Sequence, residues 1–193
     1  MNSRDLQAKI TKKKIYDIGA ALLNKKEFDE ISIIEICEKA DVSVGTFYYY
    51  FKSKRGFLFE IYKKGDRFFE ANIKPRMVSQ DAIENVRIFM DSYFAFIKSD
   101  GVDLVKHLYR HDNELFTNDN RSMLNILKEV VTEGQSKKQI TDDMSPTEMV
   151  KFIFVIMRGV VFDWCIFDGH YDIVDYSKKY IDFICNSIAA DKP

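Results

Sequence analysis

Apolar residues recur every three or four positions along most of this chain, which is the spacing of one face of an α-helix. The pattern begins with Ile10, Ile15, Ile18 and Leu22, which predict a first helix. No segment alternates convincingly between apolar and polar residues, as a half-buried strand would. The pattern therefore predicts an all-α protein of about nine helices. The longest predicted helices after the first cover about residues 54–74, 79–100, 120–134, 146–167 and 173–189.

Two short helices joined by a tight turn are predicted between residues 32 and 51. Ser32 and Glu35 have the spacing of a capping box at the start of the first of these helices. Asp41 tolerates the left-handed backbone conformation that a tight turn requires. Ser43 can cap the free N–H groups of the second helix. This arrangement is typical of a helix-turn-helix.

The second helix has two different faces. Val44, Phe47 and Phe51 share one face at helical spacing and are expected to be packed against other residues. The opposite face offers hydroxyl groups, flat rings and close backbone approach, but no pair of catalytic groups. This polar and aromatic face, which fits the edge of a nucleic acid, consists of Gly45, Thr46 and Tyr49, flanked by Tyr48 and Tyr50.

The segment from Phe28 to Leu58 resembles the DNA-binding region of the TetR family of bacterial transcriptional regulators. About thirty residues agree in order and spacing, which makes the resemblance far more specific than a short motif. Cys37 and Asp41 depart from the usual alanine and glycine, but both are small enough for their positions. The residues that match are Ile36, Ala40, Val42, Ser43, Gly45, Thr46, Phe47, Tyr48, Tyr50, Phe51, Lys52, Ser53, Lys54 and Leu58.

The resemblance implies an N-terminal three-helix DNA-binding domain and a C-terminal helical domain for ligand binding and dimerisation. We place the first domain at residues 1–54 and the second at residues 55–193. A fourth helix from Lys54 to about Lys74 would connect them and transmit the effect of a ligand. The implied function is a ligand-responsive repressor that binds a palindromic operator in double-stranded DNA as a homodimer. A small apolar ligand, aromatic or acyl, would release it.

The charge distribution agrees with this hypothesis, although the net charge of the whole chain is only −1. Residues 1–78 contain 16 basic and 11 acidic side chains, whereas residues 79–193 contain 13 and 19. A basic N-terminal part indicates phosphate contact there. Within this N-terminal part, the cluster of basic side chains at residues 4–14 fits either an arm along the phosphate backbone or a solvated helix end.

The chain has three cysteines, an odd number without a Cys-x-x-Cys pair, which argues against a disulfide scaffold or a zinc knuckle. With a polar N-terminus and no apolar signal core, this indicates a cytoplasmic protein. Arg158 and Asp163 interrupt the most apolar segment, so it is expected to be a core helix and not a membrane span.

Three sets of site residues are predicted. The DNA-binding set is Ser32, Ser43, Val44, Gly45, Thr46, Tyr48, Tyr49 and Lys54, with Ser32, Ser43 and Lys54 on phosphates. The ligand-binding set is Met90, Phe94, His107, Met123, Leu127 and Met157. The dimer interface set is Phe152, Ile156, Gly159, Phe167, Tyr180 and Ile184, since the helix from 146 to 167 is apolar nearly all round and needs a partner on its second side.

The sequence alone leaves two other classes of function open. An α-helical enzyme would need His107, His111 and Asp112, with Glu114 nearby, but Leu108 occupies the glutamate position of a His-Glu-x-x-His motif. Asp163 fits either a carboxylate in a ligand pocket or a solvated helix edge. We therefore predict no catalytic residue, metal or cofactor.

A helical protein–protein interaction module is the other alternative, and a steep salt dependence of DNA binding would separate it from a regulator.

Overall fold

The computed structural model describes residues 3–108 and 121–190, and all described regular structure is helical. The structure is 79% helical, which confirms the all-α prediction. If the interrupted segment α4–α5 is counted once, the described residues contain nine α-helices. The helices are α1 Ser3–Leu23, α2 Ile33–Ala40, α3 Val44–Phe51, α4 Lys54–Tyr62, α5 Lys64–Phe68, α6 Ala82–Asp100, α7 Val102–Leu108, α8 Ser122–Ser136, α9 Pro146–Ile166 and α10 Ile173–Ile188.

The chain divides into two compact units, residues 1–64 and 65–193. This division lies ten residues after the predicted boundary at residue 54. In the first unit, α1 packs on α2 and α4, and α3 packs on α2 and α4. The centre of this unit is aromatic, because the rings of Phe47, Phe51 and Phe57 lie 5.1–5.7 Å apart, centroid to centroid. Gly19 of α1 faces the Phe57 ring so closely that an added Cβ would lie 2.0 Å from Cζ.

The second unit is built around α6, which packs on α8, α9 and α10. Phe89 of α6 is fully buried between the rings of Phe69 and Phe154, at centroid distances of 4.9 and 5.8 Å. The segment after α8 closes against the end of α10, where Thr141 N donates to Ile188 O at 2.9 Å. This unit therefore has one continuous apolar core.

The prediction of one continuous helix from Lys54 to about Lys74 is wrong. α4 ends at Tyr62, α5 covers Lys64–Phe68, and a wider π turn follows at Phe69–Ile73, before a 3₁₀ turn at Lys74–Arg76. Pro75 lacks an N–H group, so it cannot donate the backbone hydrogen bond that would continue a regular helix. The buried residues of the π turn, Phe69 and Ile73, instead belong to the core of the second unit.

The helix ends follow the local signals with one difference. Asp41 is left-handed, at φ 51° and ψ 53°, as predicted. Ser145 and Glu148 form the capping box of α9, in which Ser145 Oγ accepts from Glu148 N and Ser145 N donates to the Glu148 carboxylate. Of the predicted Ser32–Glu35 box, only the Ser32 half forms, because the Glu35 carboxylate pairs with Lys26 at 2.8 Å.

Candidate nucleic-acid interface and effector core

The helix-turn-helix is held by buried residues on the inner sides of α2 and α3. Ile36 and Ala40 of α2 and Phe47 of α3 have no exposed surface. Ser43 caps α3 by accepting from Thr46 N at 3.1 Å, and its Oγ lies 2.9 Å from Thr46 Oγ1. Both predicted ends of the turn are therefore present, and the inner face fixes which residues of α3 point outwards.

The outward face of α3 is the one that the sequence indicated. Tyr49 is 70% exposed and Tyr48 46%. Gly45 is also exposed, and the one described atom within 4 Å of an added Cβ would be Ser43 Oγ, at 3.7 Å. Val44 differs from the prediction of a packed residue, since it is 40% exposed at the first position of the helix. The face combines hydroxyl groups, two aromatic rings and an open backbone.

The two lysines after α3 have different surroundings. Lys54, predicted to contact phosphate, has its Nζ 4.4 Å from the centroid of the Phe28 ring and 3.4 Å from Asp29 O. The exposed Lys52, which was not predicted as a site residue, has its Nζ 5.7 Å from the centroid of the Tyr49 ring.

The predicted effector residues all lie in the interior of the second unit. Met90, Phe94, Met123, Leu127 and Met157 belong to its core cluster, each at most 3% exposed. His107 of α7 is also buried. These side chains come from α6, α7, α8 and α9, so the fold gathers them from distant parts of the sequence. Their surroundings are almost entirely apolar.

The surface of α9 differs in part from the predicted dimer interface. Phe152, Ile156 and Tyr180 are half-buried, and Gly159 and Phe167 are exposed. Ile184 is only 1% exposed, because this side of α10 packs on the core of its own chain. The neighbouring Phe183 is 72% exposed. The exposed apolar residues that the prediction missed are Val155, Phe162, Ile166 and Phe183.

Three of these residues lie with Gly159 on one side of α9. We call this surface the α9 stripe and define it as Val155, Gly159, Phe162 and Ile166. They recur at intervals of four, three and four positions, so they share one side of the helix. An added Cβ at Gly159 would meet no described residue within 4 Å. Helical spacing alone could have found this stripe, because its members share one side of the helix.

The residues proposed for catalysis do not form a described site. His111, Asp112 and Glu114 lie outside the described residues, and no group of three potential metal ligands occurs in the parts that are described. Asp163 is engaged internally, since Tyr171 Oη donates to its Oδ2 at 2.7 Å. Burial, with this hydrogen bond, raises the pKa of Tyr171. Within the described ranges, no helix has the length and apolar character needed to cross a membrane.

Comparison with known families covers both units. The profile of bacterial regulatory proteins of the tetR family matches residues 15–61, which contain the whole helix-turn-helix. The profile of the YsiA-like protein C-terminal region matches residues 68–187. The chain belongs to the TetR family.

Individual relatives of this TetR-family chain are similar along most of its length. The fatty acid metabolism regulator protein of Bacillus subtilis (strain 168) is 23% identical over 181 residues, which cover 90% of this chain and 93% of that protein. The crystal structure of the transcriptional regulator FadR from Bacillus subtilis in complex with stearoyl-CoA has a TM-score of 0.79 and 22% identity, and it covers 91% of this chain and 98% of that one.

A second solved structure, the fatty acid degradation regulator FadR from Bacillus halodurans, has a TM-score of 0.78 and 21% identity, with the same coverage of 91% and 98%. At these identities the solved structures confirm the fold. Membership of the TetR family confirms the predicted function at the level of a ligand-responsive, DNA-binding transcriptional regulator. The alternative of an α-helical enzyme is excluded on the same ground.

Proposed function

We propose that this TetR-family regulator is a homodimeric repressor that responds to long-chain fatty acyl-CoA. The observation that carries the proposal is the outward face of α3, which presents Gly45, Thr46, Tyr48 and Tyr49 from a rigidly packed helix. Hydroxyl groups and rings of this kind contact base edges, while Ser32 and Ser43 lie at helix starts, where phosphates bind. Val44 joins this interface because it is exposed, and Lys54 joins it from beside the Phe28 ring.

A single α3 helix is short and contributes too little surface for specific affinity. A twofold dimer presents two copies to two half-sites about 34–36 Å apart in a palindromic operator. The α9 stripe supports a dimer, because a monomer would leave its apolar side chains in water. Phe152, Ile156, Phe167 and Tyr180 border the stripe in this proposal, and Phe183 takes the place of Ile184.

The effector class is argued from the core and from the relatives. Met90, Phe94, Met123, Leu127 and Met157 supply apolar, partly flexible side chains that repack readily around an acyl chain. Each buried CH₂ group of a ligand contributes about 0.8 kcal/mol, so a long chain binds such a core strongly. The similar FadR structure contains stearoyl-CoA, which supports the same ligand class here. His107 contributes a polar side chain to this core.

The test uses a labelled duplex selected by the full-length protein from a random-sequence library. Stearoyl-CoA is expected to raise Tm and to weaken duplex binding. The selected duplex must weaken stearoyl-CoA binding by the same factor, because coupling between two binding sites is reciprocal. Octanoyl-CoA should act more weakly and CoA alone should have little effect, since the acyl chain supplies the apolar contacts.

Tyr49→Ala serves as the matched control for the DNA side. It should reduce duplex affinity by about 1–3 kcal/mol without changing the Tm shift caused by stearoyl-CoA. A Tm shift that leaves duplex affinity unchanged would show that ligand binding is not coupled to DNA binding. Equal effects of CoA and stearoyl-CoA would rule out an acyl effector.

A further inference from the structure

The connection between α3 and α4 is a strained three-residue turn centred on Lys52. Ser53 N donates to Phe51 O at 2.7 Å, across a single intervening residue. Lys52 itself has φ 62° and ψ −32°. This is a γ-turn with positive φ, a rare conformation that is unfavourable for a residue with a Cβ atom. The turn is tight, because an added Cβ at Gly56 would lie 2.3 Å from Phe51 O.

Nothing in the packing of the described residues requires a lysine at this position. The side chain of Lys52 is exposed, and its ammonium group forms no ion pair with any described residue. Among the described residues, its one side-chain contact is the weak attraction to the Tyr49 ring, at 5.7 Å from the centroid. Glycine adopts positive φ without strain. The chain therefore has a lysine at a position where the turn itself favours glycine.

The position of the ammonium group gives the reason. Tyr49 is the most exposed ring of the α3 face, and Lys52 is the cation beside it, whereas Lys54 is turned towards Phe28 and Asp29. We propose that Lys52 binds a phosphate of the operator backbone next to Tyr49. This inference rests on the proposed contact between the α3 face and DNA. A phosphate there would supply the negative charge that the Lys52 ammonium lacks within the protein.

The experiment measures the salt dependence of binding to the selected duplex and to a scrambled duplex, together with Tm. Lys52→Gln should reduce the slope of log K against log salt by about 0.9 for both duplexes, because one phosphate contact is lost. Lys52→Arg should keep the wild-type slope. Lys52→Gly should reduce the salt slope by the same amount as Lys52→Gln, while its Tm equals or exceeds that of the wild type. Lys128→Gln, in the exposed part of α8, removes the same charge from the other unit and should keep the slope.

Wild-type slopes for both Lys52→Gln and Lys52→Gly would overturn the phosphate contact. A lower Tm for Lys52→Gly would overturn the premise that the turn favours glycine. Tyr49→Ala is measured in parallel. If it weakens binding while the Lys52 variants do not, only the Lys52 inference fails. If none of these variants changes binding, the whole α3 interface is wrong, and the Lys52 inference fails with it.

Discussion

At the scale of single residues, the glycines differ in whether packing within the chain explains them. Gly19 is required by packing, because an added Cβ would overlap the Phe57 ring. Gly45 and Gly159 have no such neighbour within the part of the chain that the structure describes. Glycine in a helix lowers stability relative to alanine, so its presence at these two exposed positions needs another reason. Close approach of a partner, DNA at Gly45 and a second subunit at Gly159, provides one.

Gly45→Ala should therefore stabilise the fold and weaken DNA binding in the same protein. The substitution is expected to increase the free energy of unfolding by about 0.5–1 kcal/mol, because alanine is the better helix former. The added methyl group would obstruct the approach of a duplex and lower its affinity. Thermal unfolding and duplex titration measure the two effects. As a control, Gly19→Ala should lower Tm, and a Gly45→Ala protein with unchanged duplex affinity would remove the argument for close approach.

At the scale of elements, an ion pair joins α5 to the start of α8. Arg121 Nε donates to Asp66 Oδ2 at 3.1 Å, and Met123 N donates to Asp66 Oδ1, also at 3.1 Å. The two charged side chains are only 11% and 14% exposed. Ser122 adds a hydrogen bond to Glu70 in the π turn. The irregular segment after α4 is thus fixed to α8 by polar contacts that periodicity could not predict.

Asp66→Asn should destabilise the second unit strongly. It would leave Arg121 without its carboxylate in a mostly buried position, which costs on the order of 3 kcal/mol. Denaturant unfolding of the full-length protein measures the change. The matched control is Asp17→Asn, which breaks the exposed Lys13–Asp17 pair of α1 and should cost below about 1 kcal/mol. Similar losses for both variants would mean that Arg121 finds another partner.

At the scale of the whole molecule, the α9 stripe determines the expected assembly. Phe162→Glu should convert the dimer into a monomer, because it would bury an unpaired carboxylate at a cost of several kcal/mol. Sedimentation velocity at micromolar concentration measures the change, and duplex affinity should fall with it. Val78→Glu replaces another exposed apolar residue outside the stripe and should leave the dimer intact. A monomeric wild-type protein would refute the interface.

The sequence by itself determined the features that depend on neighbouring residues. Helix periodicity, the Ser43 cap, the left-handed Asp41 and the outward face of α3 all follow from interactions within a few positions. The order and spacing of residues 28–58 also identified the family. These features need no knowledge of what the rest of the chain does, because backbone hydrogen bonds and side-chain direction in a helix are local.

Only the tertiary structure decided features that depend on contacts between distant residues. It divided the predicted helix 54–74, placed Ile184 inside and Phe183 outside, and turned Lys54 onto Phe28 while Lys52 stayed exposed. On the outer side of α9, Phe152 and Ile156 are half-buried against the core, whereas Val155 and Phe162 are exposed. A lysine near a helix start likewise has several reachable partners. Burial depends on which surfaces of distant helices meet, so local pattern does not determine it.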